Sequence, residues 1–231
     1  MREGHDGDAL ASNSKEREIV YYVNESTKGT LQRRTERSGL KMAARCILIL
    51  GGARSGKSSL AQNMAKGLGS RVLFVATGAP LDEEMRARIQ EHKRNRPRDW
   101  LTLETGADVG DKIMTHVGDA EVVVIDCITL LVSNILLIGE DGEEAGADQI
   151  DYASAEARVV NEVRSLIRCV DSARATFIVV SNEVGMGLVP PYPSGRLYRD
   201  LLGKANQLLA QRADDVYLMI AGIPWQLKRN G

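Results

Sequence analysis

Five apolar, β-branched runs follow residue 45, and they constrain the fold of this chain more than any other feature. Runs without polar interruption are typical of strands buried on both faces, as in a parallel sheet. Helical patterns separate most of them, over about 57–68, 82–95, 151–172 and 196–212. This alternation predicts an α/β fold with an open sheet and right-handed crossovers. The runs are CILIL at 46, RVLFVAT at 71, EVVVIDCITL at 121, ATFIVVSNE at 175 and DDVYLMIAGI at 214.

Composition and charge exclude several classes of partner. The 231 residues are 43% hydrophobic and carry a formal net charge of -1, which gives no support for binding nucleic acid or an anionic membrane surface. The longest apolar runs are about half the length of a membrane span. The N-terminal stretch lacks the apolar segment of a signal peptide, and its acidic residues argue against a transit peptide. We therefore expect a cytoplasmic protein.

The chain divides into a polar beginning and one domain. Residues 1–43 show no sustained period, and the short run EIVYYV is not continued by anything after it. We expect 1–43 to be a mostly disordered extension and 44–231 to be the folded domain. The stretches 139–149 and 190–195, rich in Gly or Pro, are predicted to be exposed loops.

Several residues that often carry chemistry have ordinary interpretations here. Cys46, Cys127 and Cys169 are far apart and form no CxxC pair. Cys46 and Cys127 fall in strand-like runs, so buried small hydrophobes are favoured over metal or redox sites. His5 is interpreted as incidental and His116 as structural.

The strongest functional motif is GGARSGKSS, which follows the first apolar run and opens a predicted helix. It fits G-x-x-x-x-G-K-[ST] in full, so the alternative of a glycine-rich turn with a chance lysine is disfavoured. Backbone N–H groups in such a loop point at phosphate oxygens. Lys57 would neutralise the β and γ phosphates, and Ser58 would hold Mg²⁺. The predicted cradle comprises Gly51, Gly52, Ala53, Arg54, Ser55, Gly56, Lys57 and Ser58.

Polar residues end two further predicted strands. A P-loop fold requires an acidic residue at the end of a neighbouring strand to orient Mg²⁺, and Asp126 meets that requirement. Asn182 and Glu183 end another strand at the edge where such sheets bind ligands. For this pair, a functional role and a turn or capping role remain equally open.

His92 lies on the helix predicted over 82–95. It follows Ile89 by three residues, at the edge of the apolar stripe, with Arg88 and Arg96 four residues away on either side and Lys93 adjacent. These cations disfavour imidazolium, so we expect a neutral ring that could attack phosphorus. From the helix alone, a surface histidine remains the favoured interpretation.

Six blocks, in order, resemble the adenosylcobinamide kinase/adenosylcobinamide-phosphate guanylyltransferase family of cobalamin biosynthesis. The resemblance covers about 46–228, and GGARSGKS and NEVGMG are more specific than a bare P-loop. The blocks are LILGGARSGKSSLA, VATG, DEEMRARIQEHKRNRP..W..LE, VVVIDCITLLVSNIL, SNEVGMGLVP and GRLYRDLLGKANQLLAQRADDVYLMIAGIP.

The resemblance implies two reactions on one P-loop NTPase fold, with a RecA-like, mostly parallel sheet flanked by helices. A nucleoside triphosphate, ATP or GTP, phosphorylates adenosylcobinamide. His92 then takes GMP from GTP and passes it to adenosylcobinamide phosphate. Lys57 acts in catalysis, while Ser58 and Asp126 hold Mg²⁺. A homotrimer is also implied. The guanine nucleotide is implied to contact Ala76, Thr77, Gly78, Lys93, Arg94, Asn95, Arg96 and Glu104.

Two alternatives remain at this level. One is a P-loop kinase for another small alcohol, in which His92 is a bystander. The other is a nucleotide-binding switch or assembly module that transfers nothing. The segment VPPYPSGRLYRD is a candidate for gripping the corrinoid, although an ordinary exposed loop is the more favoured interpretation.

Overall fold

The structure is a computed structural model, and it describes residues 45–78, 83, 86, 90, 93–94, 96–137 and 151–230. The predicted extension over 1–43 and the predicted loop over 139–149 lie outside these residues. Most of the helix predicted over 82–95 also lies outside them. Its described residues are helical, at Glu83, Arg86, Gln90, Lys93 and Arg94.

One seven-stranded sheet organises the described residues. Its order is β3-β2-β4-β5-β1-β6-β7, and every neighbouring pair is parallel except β6 and β7. This arrangement confirms the predicted fold class, α/β with a mostly parallel sheet flanked by helices. The strands are β1 (Cys46–Gly51), β2 (Val72–Ala76), β3 (Leu101–Glu104), β4 (Val122–Asp126), β5 (Thr176–Val180), β6 (Asp215–Ile220) and β7 (Ile223–Arg229).

In the described part of the chain, five helices with defined ends cover the sheet. They are α1 (Lys57–Leu68), α2 (Val109–His116), α3 (Ile128–Leu137), α4 (Tyr152–Ser172) and α5 (Pro193–Arg212). Local chemistry explains where several begin. The Asp151 carboxylate accepts a hydrogen bond from the Ser154 N–H at 2.8 Å and caps α4. Glu162 accepts from the N–H groups at the start of α2, and Pro193 opens α5, where its missing N–H costs nothing.

The core lies on both faces of the sheet, which explains the continuous apolar runs. Cys46, Leu48 and Leu50 of β1 pack into the cluster beneath α2, α3, α4 and α5, while Ile47 and Ile49 pack with α1 on the other face. Because alternate residues of a strand point to opposite faces, only a strand buried on both sides is apolar throughout.

Two boundaries differ from the sequence prediction. The run at 121 is a strand only as far as Asp126, and its remainder turns into α3 at Ile128. An apolar run alone does not separate a buried strand from a buried helix. Helix α5 begins at Pro193 rather than near 196, so part of the predicted loop over 190–195 is helical. The helices α2 and α3 and the strands β3 and β7 were not predicted. Both of these strands lie at the edges of the sheet, and residues of β3 and β7 are largely exposed.

The cysteines and the described histidine behave structurally. All three cysteines are free, and Cys46 and Cys169 are buried. Burial raises the thiol pKa of Cys46 to about 12 and that of Cys127 and Cys169 to about 11, so all three are protonated at neutral pH. Cys127 lies just after β4 rather than inside it. His116 ends α2, where its Nδ1 lies 2.8 Å from the Lys112 carbonyl. Among the described residues, no helix is long and apolar enough to cross a membrane.

Candidate active site

The carboxyl ends of five parallel strands meet at one edge of the sheet. Ala76 at the end of β2 is paired with Glu104 of β3 on one side and with Asp126 of β4 on the other. Asp126 is paired with Val180 of β5, and Val180 with Ile49 of β1, two residues before the P-loop begins. Predicted site residues from four separate segments are therefore brought to the edge where open α/β sheets bind ligands.

The P-loop has the backbone that its glycines predict. Gly51 has φ 149°, and a Cβ added there would lie 2.6 Å from the Met219 carbonyl oxygen and 2.8 Å from the Ser55 Oγ. Gly56 has φ 94° and directly precedes α1, while Arg54 at the loop tip has φ 56°. The loop therefore turns into a helix N-terminus whose N–H groups have no intrahelical partner, which is a ready anion site.

Lys57 is a buried cation in this loop. It is 7% exposed, and its Nζ donates to the Gly52 carbonyl at 2.6 Å. Burial lowers the pKa of Lys57, and the nearby Cys127 and Asp126 groups oppose that shift. A desolvated ammonium interacts more strongly with an anion than an exposed one does, because water screens it less. Lys57 is thus suited to neutralise a bound polyphosphate.

Two neighbouring turns brace the P-loop from outside. The Glu183 N–H, in the segment after β5, donates to the Gly51 carbonyl at 3.1 Å. The Gly222 N–H, in the tight turn between β6 and β7, donates to the Ser55 carbonyl, also at 3.1 Å. The P-loop is consequently held by both strands that flank β1 in the sheet.

A threonine ties the ends of β2 and β4 together. Thr77 is fully buried, and its Oγ1 donates to the Cys127 carbonyl at 2.6 Å and accepts from the Cys127 N–H at 2.9 Å. Asn134 of α3 donates from Nδ2 to the Thr77 carbonyl at 2.7 Å. These bonds fix the segment that carries Ala76 and Gly78. Sequence reasoning missed Asn134, although a buried amide inside the apolar run ITLLVSNILL was a visible signal.

Lys93 and Glu104 form an ion pair next to this edge. Lys93 Nζ lies 2.6 Å from Glu104 Oε1, and both side chains are substantially exposed. Exposed pairs contribute little to stability, so either partner can exchange it for a ligand at small cost. The pair brings a residue of the partly described helix to the end of β3.

The Arg96 guanidinium lies over the ring of Phe74 in β2. Its guanidinium carbon is 3.7 Å from the centroid of the Phe74 ring, and one terminal nitrogen donates to Thr102 Oγ1 at 3.0 Å. Burial lowers the pKa of Arg96, while the carboxylates of Glu104 and Asp126 act against this shift. A fixed cation therefore lies near both acidic residues of the site.

The structure describes some of the remaining predicted site residues and not others. Ala53 and Arg54 are exposed at the loop tip, and Ser58 is half-buried in the first turn of α1. Arg94 is exposed in the described part of its helix. His92 and Asn95 lie outside the described residues.

The segment after β5 shows the turn role that its sequence left open, and the functional role stays a prediction. The Asn182 N–H donates to Thr129 Oγ1 at 2.8 Å, and its carbonyl accepts from Asn206 Nδ2 at 3.0 Å. Glu183 Oε1 accepts from the Gly185 N–H at 2.7 Å, which is a turn role. The same residue nevertheless lies beside the P-loop.

A comparison with protein families decides which kind of P-loop protein this is. Residues 47–227 match the family described as cobinamide kinase / cobinamide phosphate guanyltransferase. The chain belongs to this family. The match spans the P-loop, His92, Glu104 and Asp126, which confirms the resemblance seen in the sequence.

Curated relatives of this family member are named bifunctional adenosylcobalamin biosynthesis proteins. The bifunctional adenosylcobalamin biosynthesis protein CobU of Escherichia coli (strain K12) is 40% identical over 182 residues, 79% of this chain and 99% of that protein. The CobP protein of Pseudomonas aeruginosa is 35% identical over 181 residues, 78% of this chain and 96% of that protein. A kinase without guanylyl transfer is therefore not favoured.

A comparison with solved structures found likenesses at low sequence identity. The flagellar accessory protein FlaH from Methanocaldococcus jannaschii is 15% identical, with a TM-score of 0.44 over 80% of this chain and 79% of that one. The RadB recombinase is 14% identical, with a TM-score of 0.39 over 75% of this chain and 73% of that one.

Proposed function

We propose that this protein phosphorylates adenosylcobinamide with a nucleoside triphosphate and then transfers GMP from GTP to adenosylcobinamide phosphate through a guanylylated His92. The products are adenosylcobinamide-GDP and pyrophosphate. The observation that carries the proposal is a P-loop with a buried lysine at the sheet edge that also holds Asp126 and Glu104, in a chain of this family.

The kinase step relies on the P-loop. The acceptor hydroxyl oxygen attacks the γ-phosphorus, the bond to the β–γ bridging oxygen breaks, and the nucleoside diphosphate leaves. Lys57 and the N–H groups at the start of α1 stabilise negative charge on the β and γ phosphates. Either ATP or GTP fits this role, because the cradle contacts only phosphates.

The guanylyl step relies on His92. One imidazole nitrogen attacks the α-phosphorus of GTP, and pyrophosphate leaves. A phosphate oxygen of the acceptor then attacks the same phosphorus and releases the histidine. The covalent intermediate divides one difficult displacement into two easier ones. The cations at Lys93, Arg94 and Arg96 attract the polyphosphate and favour the neutral, nucleophilic ring.

The oxygen donors at this edge suit Mg²⁺. Ser58, with its hydroxyl, lies in the first turn of α1, and Asp126, with its carboxylate, ends β4. Asp126 lies near enough to Lys57 to oppose the lowering of the lysine's pKa by burial. Mg²⁺ is usually held by one or two such groups together with substrate phosphates, whose charge it neutralises. We assign Ser58 and Asp126 to this ion.

The guanine nucleotide is assigned to the segment joining β2, β3 and the partly described helix. Ala76, Thr77 and Gly78 supply backbone at the end of β2, where Thr77 is rigidly held. The Glu104 carboxylate is an acceptor for guanine N–H donors once it exchanges its bond with Lys93. Arg94, Asn95 and Arg96 complete the set, alongside the P-loop residues Gly51 to Ser58.

A homotrimer in the cytoplasm is the proposed working state. The family resemblance implies the trimer, and three free cysteines suit a reducing compartment. Sedimentation equilibrium is expected to give three times the mass of the 25.2 kDa chain. A monomer mass at assay concentration would contradict the trimer.

Product analysis tests both activities together. Purified protein is incubated with Mg²⁺, adenosylcobinamide and either ATP alone or GTP, and the corrinoids are separated and weighed by mass spectrometry. We expect adenosylcobinamide phosphate with ATP, and adenosylcobinamide-GDP only when GTP is present. If adenosylcobinamide phosphate but no adenosylcobinamide-GDP formed in the presence of GTP, the protein would be a simple kinase.

A further inference from the structure

A cavity of about 430 Å³ lies between the segment after β5 and helix α5. It belongs to no group assigned above, and its floor includes polar side chains of α5. The lining residues are Glu183, Val184, Gly185, Arg199, Asp200, Gly203, Lys204, Asn206 and Gln207.

The cavity opens beside the P-loop. Glu183, which lines it, donates its N–H to the carbonyl of Gly51, the first residue of the phosphate cradle. Strand β5, which leads into this segment, is also the neighbour of β1 in the sheet. A ligand in the cavity would therefore lie next to the loop that binds the γ-phosphate.

The walls of the cavity are fixed by buried hydrogen bonds. Ser181 Oγ donates to Asn206 Oδ1 at 2.7 Å, and Asn206 Nδ2 donates to the Asn182 carbonyl at 3.0 Å. These bonds join α5 to the end of β5. The cavity is thus a built feature rather than a gap between mobile surfaces.

The lining predicts the chemistry of the occupant. It includes both donors and acceptors, among them the guanidinium of Arg199, the carboxylate of Asp200 and the amide of Gln207. The neighbouring segment exposes large apolar side chains, with Met186 81% and Leu188 96% exposed. A ligand with a polar, amide-bearing arm and a large apolar body fits this combination, and a corrinoid has both.

We propose that this cavity holds the hydroxyl-bearing arm of adenosylcobinamide in the kinase step, with Glu183 as the base that receives the hydroxyl proton. The acceptor oxygen forms its bond to the γ-phosphorus, the bond to the bridging oxygen breaks, and the proton passes to the Glu183 carboxylate. This assignment rests on the proposed function and identifies its acceptor site.

Glu183 is oriented for this task. Its Oε1 accepts from the Gly185 N–H at 2.7 Å, which restrains the carboxylate, and its own N–H holds it next to the Gly51 carbonyl. A general base must lie within hydrogen-bond reach of the proton it removes, and a fixed carboxylate meets that condition without reorganisation.

Filling the cavity tests the binding half of the assignment. A Cβ added at Gly203 meets nothing within 4 Å, so Gly203→Met places a side chain in the cavity without a clash. We expect KM and the dissociation constant for adenosylcobinamide to rise about tenfold or more, with binding of GTP unchanged. Gly67→Met is the matched control, because it is the same change at an open helical position on α1, on the other face of the sheet.

Glu183→Gln tests the base. Glutamine keeps an oxygen that can accept from the Gly185 N–H and removes only the carboxylate charge. We expect kcat for phosphorylation of adenosylcobinamide to fall by about 10²–10⁴-fold with little change in KM. Covalent labelling of the protein by GTP, which uses His92, is expected to stay at the wild-type level.

The outcomes separate this inference from the proposed function. Wild-type KM in Gly203→Met, or wild-type kcat in Glu183→Gln, would overturn the corresponding half of the assignment. If the wild-type protein formed no phosphorylated corrinoid, the proposed function would fail. Equilibrium dialysis with adenosylcobinamide would still decide the cavity, and equal affinity of wild type and Gly203→Met would reject it.

Discussion

At the scale of single residues, the site depends on buried polar side chains that hydrogen-bond to the main chain. Thr77 holds both main-chain groups of Cys127, and Lys57 donates across its own loop. Such groups are costly to bury unless paired, and once paired they hold the backbone in one arrangement. The edge of the sheet is consequently preorganised for a charged ligand.

Replacing Thr77 with valine tests this rigidity. Valine has the shape of threonine, but it leaves the N–H and carbonyl of Cys127 without the Thr77 hydroxyl. We expect the free energy of unfolding, measured by urea denaturation, to fall by about 1–3 kcal/mol. Thr115→Val is the control, since its hydroxyl is exposed and bonds only within α2. An equal loss of unfolding free energy in both variants would show that the hydrogen bonds between Thr77 and Cys127 add no stability of their own.

The sequence could predict some of these residues and not others. Lys57 and Ser58 follow from a local motif, because the phosphate cradle is built from consecutive residues. The bond between Thr77 and Cys127 joins residues 50 positions apart, and Asn134 reaches back 57 positions. Contacts of that separation depend on strand order, which no local pattern specifies.

At the scale of elements, the P-loop is shaped as much by its neighbours as by its own glycines. The turn between β6 and β7 and the segment after β5 both donate to its carbonyls. A Cβ at Gly51 would meet the Met219 carbonyl of β6, whereas one at Gly52 meets nothing within 4 Å. The two adjacent glycines therefore have different structural roles.

Alanine at each position should separate those roles. Gly51→Ala requires a backbone conformation of φ 149° that alanine rarely adopts, together with a displacement of β6. We expect it to lower the free energy of unfolding by at least about 2 kcal/mol, and Gly52→Ala to change it by less than about 1 kcal/mol. Urea denaturation of both variants without nucleotide measures this difference. A larger loss in Gly52→Ala would contradict the assigned geometry.

The sequence predicted helices and strands correctly where strands are buried on both faces or where a helix has a clear apolar stripe. The strands β1, β2, β5 and β6 and the helices α1 and α4 follow their apolar patterns closely. The prediction of a single strand over the run at 121 was wrong, because the run contains a buried strand followed directly by a buried helix. Asp126 is the polar residue at the boundary between them. Strands β3 and β7 failed because edge strands lack the continuous apolar signal.

At the scale of the whole molecule, we propose that residues 44–231 carry both activities. The family match covers 47–227, and the relatives in Escherichia coli and Pseudomonas aeruginosa align over nearly their whole length to less than four-fifths of this chain. We therefore expect both reactions to proceed without the stretch that precedes the match.

Removal of residues 1–43 tests that division. We expect the shortened protein to keep both kcat values within about twofold and to sediment with the same subunit number, because Arg45 onward supplies the sheet. Steady-state assays of phosphorylation and guanylylation, with sedimentation of both proteins, provide the measurement. Loss of either activity in a folded, equally assembled protein would place a functional residue in the extension.

Transfer of GMP through His92 requires a covalent intermediate on the protein, and a labelling experiment detects it. Protein is incubated with Mg²⁺ and GTP labelled at the α-phosphate, denatured and examined for bound label. We predict an acid-labile, alkali-stable adduct, as expected of a phosphoramidate, that is absent in His92→Ala and retained in His116→Ala. Phosphorylation of adenosylcobinamide should persist in both variants. Absence of label from wild-type protein that binds GTP, or undiminished label in His92→Ala, would contradict the account.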